Sequence, residues 1–328
     1  MLYINNQSND PFYNMALDEY VTKELDPSND YFYFYLNKPT VVIGRNQNTI
    51  QEINMEYIKE HNINVVRRSS GGGAVYHDLQ NINFSFVVDF NKDDFNSIKR
   101  FAKAIIKALE KFGVKAEFSG RNDITISAKK ISGNAQYVSR NRLLHHGTLL
   151  FNSDLSILSK VLKVKKEKII SKGIKSVKSR VANIKDYLNE DIDALQFKEL
   201  LLKNIFEVEG SKLKEYVLSP KDIENILRLR NEKYITWEWN YGNDPEFDLT
   251  RSKRFDGGEL DVRVNVREGI ITAIKFYGDF MSIRDVSDVE EKLIGRKFKQ
   301  DDVKDALSGI NIKDYFGSIS LEDILSFF

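Results

Sequence analysis

The chain has no cysteine in 328 residues. That absence excludes disulfides and thiolate metal sites. It also excludes any reaction through a cysteine thioester. An excess of either charge is missing too: 49 Lys and Arg face 48 Asp and Glu, a net charge of +1. No global field therefore draws the chain to nucleic acid or to a membrane surface. No apolar run approaches a membrane span. Residues 1–7 lack the basic-then-apolar pattern of a secretory signal, so a cytoplasmic protein is expected. The four histidines are His61, His77, His145 and His146, and no pair has zinc-ligand spacing on a helix. There is no G-x-x-x-x-G-K-[ST] phosphate loop and no G-x-G-x-x-G fingerprint. Ser127 to Lys130 matches S-x-x-K, but it falls in a strand pattern without the other elements of that site.

What is present is a globular composition, 41% hydrophobic, 12% aromatic and 30% charged, with material for one large domain and a smaller one. The most informative stretch is Arg67-Arg68-Ser69-Ser70-Gly71-Gly72-Gly73-Ala74-Val75-Tyr76-His77-Asp78. Three consecutive glycines let a ligand lie on the main chain with amides pointing at it. The tandem arginines add a planar cation able to grip a carboxylate or phosphate with two hydrogen bonds. Apolar residues on both sides, Val65-Val66 and Ala74-Val75, place this loop between two strands.

Hydrophobic spacing predicts helices at 12–25, 94–112, 154–163, 192–207 and 220–232. It predicts strands at 31–36, 40–44, 81–88, 114–118, 122–138 and 142–151. The strand at 81–88 alternates, with Ile82, Phe84 and Phe86 on one face and Asn83 and Ser85 on the other, and reads as half-buried. Residues 240–252 read as a linker. A hairpin at 257–277 and helices at 286–295 and 300–308 follow. The expected fold class is α+β, with a large domain over 1–244 and a small α/β domain over 245–328.

Two further segments carry chemistry. Asn122 and Asp123 stand at the start of a strand and could hold a hard cation such as Mg²⁺, read a base, or simply form a turn. Lys130 stands just before Ile131-Ser132-Gly133, where a lysine facing a glycine-lined pocket would stabilise charge. From Lys160 to Lys185 there are ten Lys or Arg residues and one acid, Glu167. This local positive patch would attract a polyphosphate or an acidic partner, or simply be a solvated loop.

These motifs together resemble the lipoate-protein ligase A family of the bacterial type with a C-terminal accessory domain. The resemblance rests on the arginine–glycine stretch, on Asn122-Asp123 with Lys130-Ile131-Ser132-Gly133, and on His145-His146-Gly147-Thr148-Leu149. It rests also on Lys172-Gly173 through Ser176-Val177, Ser179-Arg180-Val181 and Asn183. Phe255-Asp256-Gly257-Gly258 and the run from Glu268 to Phe280 resemble the accessory domain. The fold implied is a biotin/lipoate-ligase-like catalytic domain with mixed β-sheets flanked by helices. Gln80 stands where the family usually has glycine, so that turn must use a backbone any residue can adopt.

The resemblance implies two steps. ATP and lipoate give lipoyl-adenylate and pyrophosphate, and the acyl group then passes to a lysine of a lipoyl domain. Acceptors implied are lipoyl domains of 2-oxoacid dehydrogenase complexes, the glycine-cleavage H protein, or both. Lys130 is the implied catalytic residue. ATP and adenylate fall to Arg68, Gly73, Ala74, Val75, Tyr76, Asn122, Asp123, Lys130, Lys172, Ser176 and Arg180. Lipoate falls to Arg68, Ser70, Gly71, Gly72, Gly73, Lys130, His146 and Gly147. Asp123 is the implied Mg²⁺ ligand. Val75, Tyr76 and Leu149 are expected to line the tunnel for the tail. The basic 172–183 loop would cover the adenylate, the C-terminal domain would swing between steps, and a monomer is expected. The rivals are a cysteine-independent lipoyl or octanoyl transferase and a non-catalytic binder of lipoyl domains. A biotin ligase would need a Gly-Arg-Gly-Arg-x-Gly-Arg loop, which is absent.

Overall fold

The computed structural model describes residues 1–90, 98–162, 180–210, 212–241, 247–267 and 269–328. In chain order the first elements are β1 (Leu2–Tyr3), α1 (Pro11–Lys23), β2 (Tyr31–Tyr35), β3 (Thr40–Ile43), α2 (Thr49–Glu52), α3 (Met55–Glu60), β4 (Asn64–Arg67), β5 (Val75–His77) and β6 (Asn81–Asp89). Then come α4 (Ile98–Glu110), β7 (Glu117–Ser119), β8 (Asp123–Ile126), β9 (Lys129–Ser139), β10 (Arg142–Leu150), α5 (Leu155–Val161), α6 (Ala194–Val208), α7 (Pro220–Leu229) and α8 (Trp237–Asn240). The C-terminal part holds β11 (Leu249–Phe255), β12 (Gly258–Arg267), β13 (Ile270–Gly278), α9 (Ser287–Leu293), α10 (Gln300–Ala306), α11 (Ile312–Phe316) and α12 (Leu321–Leu325).

A seven-stranded sheet, order β1-β2-β6-β10-β9-β8-β7, forms the backbone of the large domain. All its pairings are antiparallel except β1 with β2. β2 reads Tyr-Phe-Tyr-Phe-Tyr and divides two cores by its pleat. Phe32 and Phe34 join Phe84, Phe86, Phe101, Ile105, Phe197 and Leu201 under α4 and α6. Tyr31, Tyr33 and Tyr35 face the other way, onto Met15, Leu17 and Val21 of α1. Each buried aromatic contributes roughly 1.5–3 kcal/mol. β6 is thus covered on both faces rather than half-buried. Its polar residues Asn83 and Ser85 are fully buried and must find partners inside.

A second sheet, β4-β3-β5, stands beside the first, with β3 parallel to β4 and antiparallel to β5. The glycine loop joins its two outer strands. The run predicted as one strand at 122–138 is two: Ser127 and Ala128 turn at φ 49 and 62° between β8 and β9. That hairpin has neither Gly nor Asn at its left-handed positions, so its sequence gave no turn signal. The S-x-x-K match spans this turn.

β11, β12 and β13 form an antiparallel sheet with its own core, including Leu260, Val262, Phe276, Phe280, Val289 and Phe316. The last four residues of the predicted linker at 240–252 are strand, because β11 begins at Leu249. The expected boundary at 244 lies outside the described residues. Helices α11 and α12 were not predicted. Among the described residues, no helix is long and apolar enough to cross a membrane.

One ion network locks α1 to the segment after α7. Glu19 takes Lys23 Nζ at 2.7 Å, Lys233 Nζ at 2.6 Å and the Tyr234 hydroxyl at 2.6 Å. Burial opposes the charge, yet Lys233 and these three donors hold the Glu19 carboxyl down to about 2, from 4.5. Burial lowers Lys233 as well, despite its partner, so the stabilisation rests on the acid. A depressed acid stabilises the fold above its unfolded pKa and loses that contribution as pH falls through its folded one. Glu19→Gln is expected to cost on the order of 3 kcal/mol at pH 7. In urea unfolding, the gap to wild type should shrink between pH 4.5 and pH 2. A gap that does not change with pH would show that the charge is not its source.

Candidate active site

The site is assembled by register. Tyr33 pairs with Ser85 across β2 and β6, Ser85 with His146 across β6 and β10, and His146 with Ala135 across β10 and β9. These four residues form one row on one face. Asp18 of α1 sits over them. Asp18 Oδ1 accepts from the Tyr33 and Ser85 hydroxyls, both at 2.8 Å, and Oδ2 lies 2.8 Å from His146 Nδ1. Burial, then the Asp18 charge, raises the Tyr33 phenol well above its usual range, so it stays a donor.

The carboxylate fixes the imidazole. Nδ1 of His146 carries its proton toward Asp18, so Nε2 accepts from the Ser70 hydroxyl at 2.6 Å. Ser70 Oγ in turn accepts from Arg68 Nε at 3.0 Å. Arg68 spends Nη1 on the Val42 carbonyl and Nη2 on the carbonyls of Gly71 and Gly73, at 2.7 and 2.9 Å. It therefore ties the glycine loop from below instead of reaching out as a two-pronged clamp. No acid pairs with it among the described residues. Burial, then neighbouring Arg67, lowers its pKa to about 10, with the Tyr35 phenol opposing. It remains charged. Arg67 turns the opposite way, onto the carbonyls of Gly44, Arg45, Gln47 and Trp239, and is a structural tie.

The three glycines have three different reasons. A methyl at Gly71 would stand 2.7 Å from the Phe280 carbonyl. Gly72 has φ 94°, and its N–H donates to that same carbonyl at 3.1 Å. Gly73 has open space where a side chain would be, and lines the cavity. Gly72 and Gly73 both line the cavity, and Gly71 does not. The expectation that all their amides point at a ligand is corrected by the C-terminal domain, which uses the Gly72 amide itself. The same domain donates Gly278 N–H to the Asn46 carbonyl at 2.6 Å. Ser282 Oγ accepts from Asn46 Nδ2 at 3.0 Å, and Asp285 pairs with Arg45.

The cavity, of ≈130 Å³, runs from Lys130, Asn122, Gly73, Ala74 and Gly133 to Met15, Tyr35, Val42, His77 and Asn83. Its first end is partly open and its second wholly buried. Val75, Ala135, His146, Gly147 and Thr148 also line it. Lys130 Nζ lies 2.7 Å from Asp123 Oδ1, with both side chains 35% exposed. This is contact of charge, because Oδ1 is buried and receives no well-directed donor. A Cβ at Gly133 would meet Lys130 Nζ at 2.9 Å, so the glycine gives the lysine its path. Asn122 gives Nδ2 to the Asn134 carbonyl at 2.7 Å. A second, larger cleft of ≈870 Å³ lies between the domains. Its charges are mostly paired, Lys23 and Lys233 with Glu19 and Arg284 with Asp314.

Several expected residues lie elsewhere. Leu149 is in the core under α4, and Tyr76 packs with Val41, Ile43 and Ile58; neither lines the cavity. Ser70 is fully buried behind the loop. His145 faces away from the cavity, stacked on Phe101 at 4.6 Å. Lys172 and Ser176 lie outside the described residues. Arg180 is exposed, and Val181 and Ala182 behind it pair with Lys130's backbone. At Gln80 the turn is closed by Asp78, whose Oδ1 accepts from Gln80 N–H at 2.9 Å, without a positive φ. The sequence reading missed Asp18 as a site residue, together with Tyr35, Asn37, Asn83 and the 280–282 strap. Asp18 had a faint signal, an acid between Leu17 and Val21 on the apolar side of a helix.

A buried cation under a glycine loop, a partly exposed lysine at the mouth and a closed buried end define a two-domain α+β protein whose cavity has the shape and charge for an anionic head on a chain. The chain belongs to the lipoate-protein ligase family. Residues 10–206 match the lipoyl protein ligase A/B catalytic domain and residues 244–328 the bacterial lipoate protein ligase C-terminus. It is 48% identical to lipoate-protein ligase LplJ of Bacillus subtilis (strain 168) over 327 residues, 99% of each chain. It is 45% identical to lipoate–protein ligase 1 of Staphylococcus aureus (strain Mu50) over 321 residues, 98% of this chain and 97% of that one. Among solved structures, P. falciparum LipL1 in complex with lipoate matches with TM-score 0.82 at 26% identity, covering 99% of this chain and 98% of that one. The bipartite ligase of Thermoplasma acidophilum, described with its E2 lipoyl domain, gives 0.66 at 31%, covering 76% and 98%. A lipoate-protein ligase A bound with ATP gives 0.62 at 28%, covering 74% and 97%.

The glycine assignments are separable by substitution. Gly73→Ala should leave stability within about 0.5 kcal/mol of wild type while raising the KM of whatever fills the cavity. Gly71→Ala should cost about 1–3 kcal/mol by pushing against the Phe280 carbonyl. Urea unfolding and steady-state kinetics check both. Equal stability of the two variants would contradict the assignment.

Proposed function

We propose that this chain activates lipoate with ATP at the Arg68–Gly73 loop as lipoyl-adenylate and passes the acyl group to a lysine of a lipoyl domain. The observation that carries the reading is the polarity of one cavity. Its mouth holds Lys130 and the glycine loop over a buried Arg68 with no acid partner among the described residues, and its other end is closed, with Met15 and Val42 beside Tyr35, His77 and Asn83. A carboxylate on an alkyl chain fits that arrangement. The ligase membership of the family, the neighbour bound to ATP and the neighbour in complex with lipoate support it.

In the first step a carboxylate oxygen attacks the α-phosphorus and pyrophosphate leaves. Lys130, paired with Asp123, exchanges that partner for the ligand and offsets the charge that grows on phosphorus. In the second step the acceptor amine attacks the acyl carbon and AMP leaves, with Lys130 beside the developing oxyanion. Arg68 acts through the loop it holds and through its positive field. Gly73, Ala74 and Val75 provide main chain for the nucleotide, and His146 and Gly147 wall the acyl chain. Arg180, with Lys172 and Ser176, would cover the mixed anhydride and keep water from it. Asp123, whose Oδ1 is buried without a directed donor, is the residue that would hold Mg²⁺. Among the described residues no three acids or histidines cluster to hold a metal, so substrate phosphates would supply most of its ligands. A bound ion would neutralise phosphate charge. The acceptors we assign are lipoyl domains of 2-oxoacid dehydrogenase complexes or the glycine-cleavage H protein, and the enzyme acts in the cytoplasm as a monomer.

The test is lipoate-dependent pyrophosphate release from ATP, with and without apo lipoyl domain. Release with lipoate alone, and lipoyl-lysine when the domain is added, is the expected result. No release in either case would favour a transferase using a pre-activated acyl donor. Lys130→Ala should lose adenylation almost completely with the fold kept. A variant retaining more than roughly a tenth of the rate, a loss below about 1.4 kcal/mol, would refute the role given to Lys130.

A further inference from the structure

The buried end of the cavity carries one polar group with nothing to bond. Asn14 Nδ2 donates to Asn37 Oδ1 at 2.8 Å, which orients the Asn37 amide. Its other end, Nδ2, lies 3.0 Å from His77 Nδ1. An amide nitrogen can only donate, so Nδ1 accepts and the ring proton sits on Nε2. That Nε2 is buried and has no hydrogen-bond partner among the described residues. The ring is 3% exposed and lines the cavity beside Met15, Tyr35, Val42 and Asn83. Asn83 is itself satisfied: its Nδ2 donates to the Tyr35 carbonyl and its Oδ1 accepts from Asn81.

Burial, with Arg68 and His146 adding to it, lowers His77 to about 3, so the ring stays neutral and its donor stays in place at working pH. A buried N–H left unpaired carries a penalty that a ligand can relieve. A plain alkyl tail offers no acceptor. A dithiolane ring offers two sulfurs, which are weak acceptors.

We propose that His77 reads the end of the acyl tail, its Nε2–H favouring a sulfur-bearing ring over a hydrocarbon of the same shape. This specificity rests on the reading that the cavity takes the lipoate chain. The polar ladder behind it, Asn14 to Asn37 to His77, is what fixes the donor. His77 is therefore a specificity-determining residue, and Asn37 is a positioning residue that acts through it.

The experiment uses wild-type enzyme first, comparing pyrophosphate release with lipoate and with 5-cyclopentylpentanoate, which keeps the ring and chain but has no sulfur. We expect kcat/KM to be lower by roughly five-fold or more for the carbocycle, since the donor stays unpaired. His77→Leu should bring the two acids within about two-fold of each other. His77→Gln, which restores an amide N–H, should keep most of the preference. Equal kcat/KM for the two acids on wild type would overturn the proposal, as would an undiminished preference in a folded His77→Leu. If the Leu variant does not fold, the wild-type comparison decides alone. Release with neither acid would instead remove the ligase reading on which the proposal stands.

Discussion

The buried carboxylate of Asp18 is the interaction on which the site depends. It comes from a helix and meets three donors from three neighbouring strands, Tyr33, Ser85 and His146. Burying a carboxylate costs several kcal/mol. Three hydrogen bonds to a charged acceptor, each about 1.5–3 kcal/mol, offset it only if all three are made at once. That condition sets the seating of α1 on the sheet. The same carboxylate decides which His146 nitrogen carries a proton, and so decides that Ser70 donates to His146 and receives from Arg68. The shape of the glycine loop is thus determined four hydrogen bonds away, on a helix with no glycine motif of its own.

The loop has two supports. Arg68 holds it from within through the Gly71 and Gly73 carbonyls. The C-terminal domain holds it from outside through the Phe280 carbonyl, which occupies the Gly72 amide. A ligand that needs that amide must displace the domain, and a ligand that uses only the space at Gly73 need not. Domain seating and loop occupancy are therefore linked by one hydrogen bond. Competition of that kind shifts populations without any special hinge.

Much of this was legible in the sequence, but unevenly. Arg68, Gly72, Gly73, Asn122, Lys130 and the His146-Gly147 pair, far apart in the chain, line one cavity, with Asp123 against Lys130. The fold class and most elements were legible too, because helical and strand periods are local signals. What failed was non-local. Composition could not tell Arg67 from Arg68, since alternation along β4 alone sends one to carbonyl ligands and the other under the loop. β6 reads as half-buried because its inward polar face is satisfied by α1, some sixty residues earlier in the chain. The Ser127–Ala128 turn is held by the pairing of β8 with β9 rather than by turn residues. His77 and Asn37 lie forty residues apart, and only the antiparallel pairing of β3 with β5 brings their neighbourhoods together.

The two cations of the site differ in a way that suits their places. Arg68 is rigid, buried and committed to four acceptors, so its charge is a fixed background. It cannot follow a ligand through a reaction. Lys130 is one-third exposed and held by a single carboxylate through charge rather than a well-directed hydrogen bond. A guanidinium in that position would favour a planar two-point contact and resist an exchange of partners. An ammonium on a flexible stem can pass from a carboxylate to a phosphoryl oxygen and on to an acyl oxygen within a small arc. A fixed positive floor with a movable positive group above it is the arrangement that a charge migrating between two centres requires.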